Sequence, residues 1–418
     1  MDAGLVLGID LCDDYSQISY YDYKNKSVES VGLSIRESKY QIPTAVCKQK
    51  GKNEWCAGDD GVKANLLDTG IYIDCLLSRI VANDLIEVED ITVKPQELLT
   101  IFLKYLITAA EVRCQKKEIE KVYVTVSLLN KHIVEVIKQS LVELGIDEDS
   151  IRILNHQECY IYYAMSQAKE LWNTDVALFD YTKDGLDYYR MYIGSVLRKK
   201  IVMVEHIDCS NDFVIDDIEK SETDVKLLEE IKKLFDKKII NTVYFTGTGF
   251  KKSDWLKNTL NYICNKRRVF LGQNLYVKGA CYAALEDINE NVLRGYTIAC
   301  KDRITTKVEV VVAKQSSETE RLLLVKEGSN WSDASVDMDF IVNDENYVKL
   351  LLTPADTGVY REEIIKLDKF PKRPLKTTRI NLKIEFDSDS HMVVSIKDKG
   401  FGEFFKASYE IVTKEITL

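Results

Sequence analysis

A short apolar strand that ends in an aspartate and then turns back on itself occurs twice in this chain. The first copy, residues 5–9 and 18–23, brackets a turn that carries Asp10, Cys12, Asp13 and Asp14. The second is the run VALFDY, which ends at Asp180 and Tyr181; the turn TKDG at 182–185 and a returning strand over 187–193 follow it. Short β-type runs flanking a polar turn mark both as hairpins. A strand that delivers a carboxylate to its tip is a common way to place a metal-linked carboxylate beneath a phosphate. Two such hairpins about 170 residues apart, Asp10 to Asp180, imply two similar lobes facing each other across a cleft, where a Mg²⁺-nucleotide would sit between the aspartates.

The intervening segments read as α/β grammar. Strands are expected at 27–37, 41–46 and 54–57, and the GDDGVK run at 58–63 is a turn that launches a helix. PQELLTIFLKYLITAAEVRC at 95–114 has helical apolar spacing with Pro95 in its first turn. KVYVTVSLL at 121–129 reads as a central strand, 131–144 as a helix stopped by Gly145, 151–154 as a strand and 156–171 as a helix. The second lobe adds a strand at 196–205, a helix at 224–238 and a strand at 241–247. That strand delivers the loop TGTGF at 246–250, and a helix at 253–264 with Ser253 as N-cap follows it. A short strand at 268–271 and a helix at 275–288 complete the lobe. From 296 to 417 the segments are of β type, at 307–312, 320–325, 337–341, 347–352, 378–386, 392–396 and 404–411, with turns at 387–390 and 397–400. They predict an independent β-sandwich that begins near residue 300.

Composition removes several function classes. Sixty-seven acidic against 57 basic residues, a net charge of −10, argue against a general nucleic-acid grip. No apolar run reaches the length of a membrane span, and the N-terminus MDAGLVLGID lacks a basic segment ahead of an apolar one, so the expected location is the cytoplasm. The 10 cysteines form no CxxC, and the 4 histidines are scattered at 132, 156, 206 and 391, a pattern of reduced, buried thiols rather than a structural metal site.

These pieces resemble the ATPase core shared by actin and the heat-shock 70 kDa chaperone family, within the actin/hexokinase-type superfamily. GID at 8–10, with Leu11 and Ser16, looks like the first phosphate loop of those chaperones, and Phe179, Asp180 and Asp187 fall at the spacing of the second. TGTGF at 246–250 looks like the adenosine loop, and VKGACYAAL at 277–285 like the helix after it. Residues 122–145 and the segment opening at Asn155 resemble the elements that link the lobes. INLKIEFDSDSHMVVSIKDKGFGE at 380–403 is similar to a strand pair of the peptide-binding β-sandwich, including the DSDS and DKG turns. The resemblance implies an α/β, two-lobed actin-like ATPase fold of duplicated ribonuclease H-like lobes (1–172 and 173–298), followed by an all-β sandwich domain (299–418).

The resemblance also implies a site. Asp10, Lys63, Asp180 and Asp187 would be its catalytic residues, with Asp10 and Asp180 handling the Mg²⁺. Gly8, Asp10, Ser16, Lys183, Gly247, Gly249 and Phe250 would border ATP or ADP. Three departures matter. Cys12, Asp13 and Asp14 replace the small residues of the first loop, and two carboxylates beside a polyphosphate repel it. Thr182, Lys183 and Asp184 replace the glycines of the second, crowding the γ-phosphate and its attacking water, although Lys183 supplies charge. A hydrophobic linker and a helical lid are not recognisable. Three readings stay open: a chaperone-like nucleotide-binding switch or scaffold with weak or lost hydrolysis; a nucleotide-free interaction protein whose β domain docks peptide or protein clients, with a sheet edge or groove near 378–396 as the docking place; and an active ATP-driven folding chaperone, whose turnover would be ATP hydrolysis.

Overall fold

The structure, a computed structural model, describes residues 4–32, 40–115, 118–196, 199–213, 221–289, 293–313, 319–343 and 346–418. It divides into two compact units, Met1–Ile193 with Val202–Arg294, and Gly194–Ile201 with Gly295–Leu418. The boundary expected near residue 300 therefore falls at Arg294/Gly295, and Gly194–Ile201 goes with the second unit. The architecture is α/β, with several mixed sheets and helices.

In the first unit, β1 (Leu5–Leu11), β2 (Tyr15–Asp22) and β3 (Ser27–Ser30) form a meander, and β4 (Ile42–Pro43) pairs with β2. Residues 33–37 of the expected third strand lie outside the described residues. A small sheet of β5 (Val46–Gln49), β6 (Trp55–Ala57) and β7 (Gly70–Ile73) carries α1 (Gly58–Leu66). Then come α2 (Leu76–Ala82), the hairpin β8 (Ile86–Val88) with β9 (Ile91–Val93), α3 (Pro95–Cys114), β10 (Ile119–Val126), α4 (Lys131–Glu143), β11 (Ile151–Asn155) and α5 (His156–Ser166). The second half follows as β12 (Asp175–Thr182), β13 (Gly185–Val196), β14 (Lys199–Asp208), α6 (Ser221–Leu234), β15 (Ile240–Thr246), α7 (Lys257–Cys264), β16 (Arg268–Leu271) and α8 (Leu275–Asn289).

The two large sheets share one plan. In the first the order is β11–β10–β1–β2–β3, with β11, β10 and β1 parallel and β2 and β3 antiparallel. In the second, β16, β15 and β12 are parallel, β13 is antiparallel, and the order β16–β15–β12–β13–β14 matches strand for strand. All seven residues of β1 are buried, which period-2 geometry explains. Leu5, Leu7, Ile9 and Leu11 join Leu99, Phe102 and Leu106 of α3 and Ile137 and Leu141 of α4 in one core. Each fully buried aliphatic side chain there contributes roughly 1.5–3 kcal/mol. Val6, Gly8 and Asp10 point the other way, toward α8. There the Cys281 thiol donates to the Val6 carbonyl and Ser19 Oγ donates to the Val277 carbonyl at 2.8 Å. β12 repeats the arrangement. Ala177, Phe179 and Tyr181 enter a core with Leu227, Ile231, Phe245 and Phe250. Val176, Leu178 and Asp180 lie on the opposite face, where Tyr160 of α5 donates to the Val176 carbonyl at 2.7 Å.

Two helix starts differ from expectation for the same physical reason. α7 begins at Lys257 rather than Ser253, because its free amides at Asn258 and Thr259 are accepted at 2.7 and 3.0 Å by Asp224 of α6. α2, which no local signal announces, is held by Asp13 from the β1–β2 turn, whose carboxylate accepts Leu77 N at 2.9 Å, Ser78 N at 3.1 Å and the Ser78 hydroxyl. α5 stops at Ser166, and a 3-10 turn at Lys169–Leu171 takes the rest of the expected 156–171 helix.

In the second unit, β17 (Tyr296–Ala299), β18 (Arg303–Ile304), β19 (Thr306–Ala313), β20 (Thr319–Val325), β21 (Ser329–Asn330), β22 (Ser335–Val342), β23 (Tyr347–Pro354), β24 (Arg361–Lys366), β25 (Thr378–Phe386), β26 (His391–Gly400) and β27 (Ile411–Thr417) succeed one another. They build two antiparallel four-stranded sheets, β20–β19–β23–β24 and β22–β25–β26–β27. Val308, Val310, Leu350 and Leu352 from one sheet and Ile380, Leu382, Ile384, Val394 and Ile396 from the other form a single core. The turn expected at 397–400 is strand, and the last strand is Ile411–Thr417 rather than 404–411; Phe404 stands almost fully exposed in the loop between them. β25 and β26 are the central strands of their sheet, so 378–396 offers no free edge. The edges are β22 and β27.

Candidate functional site

Near the C-terminal ends of β1 and β12 stand buried aspartates, Asp10 and Asp180, on the face that carries α5 and α8, and each aspartate meets the first turn of one of those helices. α5 starts directly after β11, with Asn155 as N-cap accepting Glu158 N at 2.8 Å. This fixes His156, its first residue, so that Nε2 donates to Asp10 Oδ1 at 2.9 Å. α8 starts four residues after β16 and brings in Tyr276, whose hydroxyl donates to Asp180 Oδ2 at 2.8 Å. The imidazole and the phenol stack, with ring centroids 3.9 Å apart and planes 7° from parallel. A flat, hydrogen-bonded pair of rings thus connects the two carboxylates.

Electrostatics at this junction are those of a dry, acidic pocket. Asp10 and Asp180 are 6% and 8% exposed. Burial pushes the Asp180 carboxyl up to about 6, opposed by His156 and by the Tyr276 hydrogen bond, with Asp187 and Asp10 adding to the rise. Burial, then Asp180, hold the Tyr276 phenol well above its ordinary range. Cys12 Sγ lies 3.7 Å from Asp10 Oδ1, and burial with Asp10 and Asp180 nearby raises its thiol strongly. In the absence of a metal ion these surroundings favour the neutral thiol.

The other expected residues divide into those the fold brings to the junction and those it uses elsewhere. Asp187 on β13 lies directly opposite Asp180 in the ladder, but its carboxylate accepts His206 Nε2 at 2.6 Å. Gly8 packs under α8, where a Cβ would stand 2.4 Å from the Val277 carbonyl and 2.5 Å from Cys281 N; the residue serves helix–sheet contact. Gly247, at φ +92°, passes so close to β12 that a Cβ would meet the Tyr181 carbonyl at 2.4 Å and Asp180 Oδ1 at 2.5 Å. Gly249 lies under the Tyr181 ring, and Phe250 is buried in the aromatic core with Tyr181 and Trp255. Ser16 is buried in a 2.7 Å hydrogen bond with Thr44. Lys63 is an exposed residue of α1 that reaches Asp60 at 2.9 Å. Lys183 pairs with Asp14 at 2.7 Å, tying the turns of the two hairpins together across the half-boundary.

A cleft of about 1100 Å³ opens beside the junction, between the first half and the 248–274 region of the second. Among its described lining residues are four carboxylates, Asp13, Asp14, Asp59 and Asp74, and one cation, Lys251; neither Asp10 nor Asp180 lines it. The residues present do not fit Mg²⁺-polyphosphate. The two strand-end carboxylates are already engaged by imidazole and phenol, and the neighbouring cleft repels anions.

His156 and Tyr276 were missed in the sequence. The available signal was topological: each opens a helix just after a parallel strand, at the carboxyl end of the sheet where ligand-facing groups gather. Asp10, Cys12 and His156 also place one carboxylate oxygen, one sulfur and one nitrogen within 4.8 Å of one another, a mixed donor set that could hold a metal ion. Among the described residues no helix is long and apolar enough to cross a membrane.

No curated protein matches the chain. Residues 303–418 match a model described as a domain of unknown function, DUF8552. Residues 27–301, more than half of the chain, match the model of the C-terminal part of a family of unknown function, DUF5716, and the chain belongs to that family.

Proposed function

We propose that this protein is a non-hydrolysing, chaperone-like scaffold. In this reading the first unit is an actin-type fold of duplicated ribonuclease H-like halves, and the second is a β-sandwich that docks peptides or protein partners. The observation that carries it is the His156–Tyr276 stack: it bonds both strand-end aspartates, the carboxylates to which the resemblance assigns Mg²⁺ and phosphoryl transfer. The shared strand order of the two sheets supports the duplicated fold. The two sheets around one core support the sandwich. Strand addition, if the β unit uses it, falls to the β22 or β27 edge.

A second reading, nucleotide held without turnover, is favoured by the size of the cleft beside Thr248 and Lys251 and opposed by the charge of its four carboxylates. Calorimetric titration of the full chain with Mg²⁺-ATP, with phosphate release followed in parallel, separates the two. The scaffold reading expects neither heat nor turnover. Saturable heat without phosphate release selects the second reading, and turnover that Asp10→Asn abolishes overturns both. Binding of the full chain to a peptide array tests the docking half, which complete indifference removes.

A further inference from the structure

We infer that Asp10, Cys12 and His156 form a mononuclear site for a borderline-soft divalent metal ion, of the Zn²⁺, Co²⁺ or Ni²⁺ class, bound directly by carboxylate, thiolate and imidazole. The geometry starts from β1. Asp10 lies near the end of β1, Cys12 follows two residues on, just past the strand, and His156 enters from the first turn of α5. Asp10 Oδ1 is 2.9 Å from His156 Nε2 and 3.7 Å from Cys12 Sγ, and the three donors lie within 4.8 Å of one another. In a tetrahedral site with Zn–O and Zn–N near 2.0 Å and Zn–S near 2.3 Å, neighbouring donors stand about 3.3 Å (O to N) and about 3.5 Å (S to O or N) apart. Shifts of a few tenths of an ångström bring the O–N and S–O edges to those lengths, and the S–N edge, which lies within 4.8 Å, closes by up to about 1.3 Å to complete one face of that tetrahedron. Binding releases the Cys12 thiol proton to solvent and requires the imidazole neutral with its hydrogen on Nδ1, so that Nε2 faces the ion; the fourth position is left to water or a further ligand.

Charge points the same way. Asp10 and Asp180 are both buried, and among the described residues no lysine or arginine forms an ion pair with either; their side-chain partners are an imidazole and a phenol. A dication bound at the triangle neutralises this excess. The donor set also excludes the fold's expected ion: sulfur and imidazole ligands suit Zn²⁺ and its neighbours, whereas Mg²⁺ takes oxygen in an octahedron. The Tyr276 ring stacked on the imidazole fixes its plane, as an outer-shell contact does around metal-bound histidines. This site needs no nucleotide and stands whether or not the scaffold reading does.

The test uses the full chain, stripped with EDTA and kept reduced, titrated with Co²⁺. One equivalent is expected to bind with the visible bands of a four-coordinate ion and a thiolate-to-cobalt charge-transfer band, and one equivalent of Zn²⁺ should displace it. Cys12→Ser should lose the charge-transfer band, and His156→Ala should weaken binding by at least about 10-fold, the scale on which even outer-shell changes act. The exposed Cys264→Ser should change nothing. X-ray absorption of the Zn²⁺-loaded wild type, which depends on no variant folding, should give one sulfur near 2.3 Å with nitrogen and oxygen neighbours near 2.0 Å. Absence of stoichiometric binding, a charge-transfer band that survives Cys12→Ser, or a zinc shell of several sulfurs or of oxygen alone overturns the site.

Discussion

Asp180 in the first unit and Asp398 in the second are both buried on β-strands, and their surroundings drive them in opposite directions. Asp398, fully buried, receives Arg373 through two parallel bonds of 2.6 and 2.7 Å, and also the Ser408 amide, the Ser408 hydroxyl and the Gly400 amide. Burial alone would raise its carboxyl, but these partners overcome it and hold the group well below the ordinary carboxylate range. Asp180 has one neutral donor, Tyr276, and acidic neighbours in Asp187 and Asp10, so burial wins and the carboxyl rises to about 6. The first aspartate is a clasp that ties the Gly400–Ser408 loop to its sheet. The second is a charge kept at a cost, and such groups gather at functional sites more often than in structural cores.

The largest expected effect comes from making Asp398 resemble Asp180. Arg373→Ala strands a buried carboxylate and should destabilise the second unit by about 3–5 kcal/mol in urea unfolding followed by circular dichroism. An equal loss from a swap of both residues for apolar ones would show that the pair acts by packing instead. Because the folded pKa of Asp398 is depressed, its contribution is present above the ordinary carboxylate range and is lost as pH falls through and below about 4.

Next in size is relief of Asp180. Its folded pKa is raised, so the ionised group destabilises the fold fully above about pH 6, and this penalty disappears as pH falls below about 4. Asp180→Asn keeps the acceptor for Tyr276 and should stabilise the first unit by on the order of 2–3 kcal/mol at pH 8, with the gain vanishing near pH 4. Thermal unfolding in EDTA at the two pH values checks this, with His156, Asp187 and Asp10 the other titrating groups at the junction. A gain that does not depend on pH would break the comparison.

Gly8→Ala tests the frame rather than the charge. Its Cβ would press on α8 backbone at Val277 and Cys281, and the expected loss is about 1–3 kcal/mol, with Tyr276 drawn away from Asp180. An unchanged stability would mean that α8 can slide freely. The smallest effect belongs to Lys183→Ala, which removes an ion pair whose partners are both about half exposed, and should cost less than about 1 kcal/mol, less still in high salt. A larger loss would make the Asp14–Lys183 tie between hairpin turns a structural clasp of the Asp398 kind.

Much of the fold was legible because its signals are local. The Asp10 and Asp180 hairpins follow from short apolar runs that stop at a polar turn, and β25 is legible to the residue from its alternating Ile380, Leu382, Ile384 and Phe386. The failures share a cause. Ser253 was expected to cap α7, but Asp224 does so from α6; α2 gave no local signal, because its cap, Asp13, comes from a turn 64 residues before Leu77. The final strand was misplaced because the exposed Phe404 mimics a core residue, while the loop it sits in is shaped by Gly400 at φ +64° and the Asp398 clasp.

The sequence by itself determined that two aspartates end two matching strands, since a period of two and a turn suffice to put them there. Only the tertiary structure decided what they meet. His156 and Tyr276 are far apart in the chain and come together because the parallel portions of two mixed sheets send their next helices to one junction, a convergence that depends on sheet order and helix packing and leaves no mark in any short window of residues.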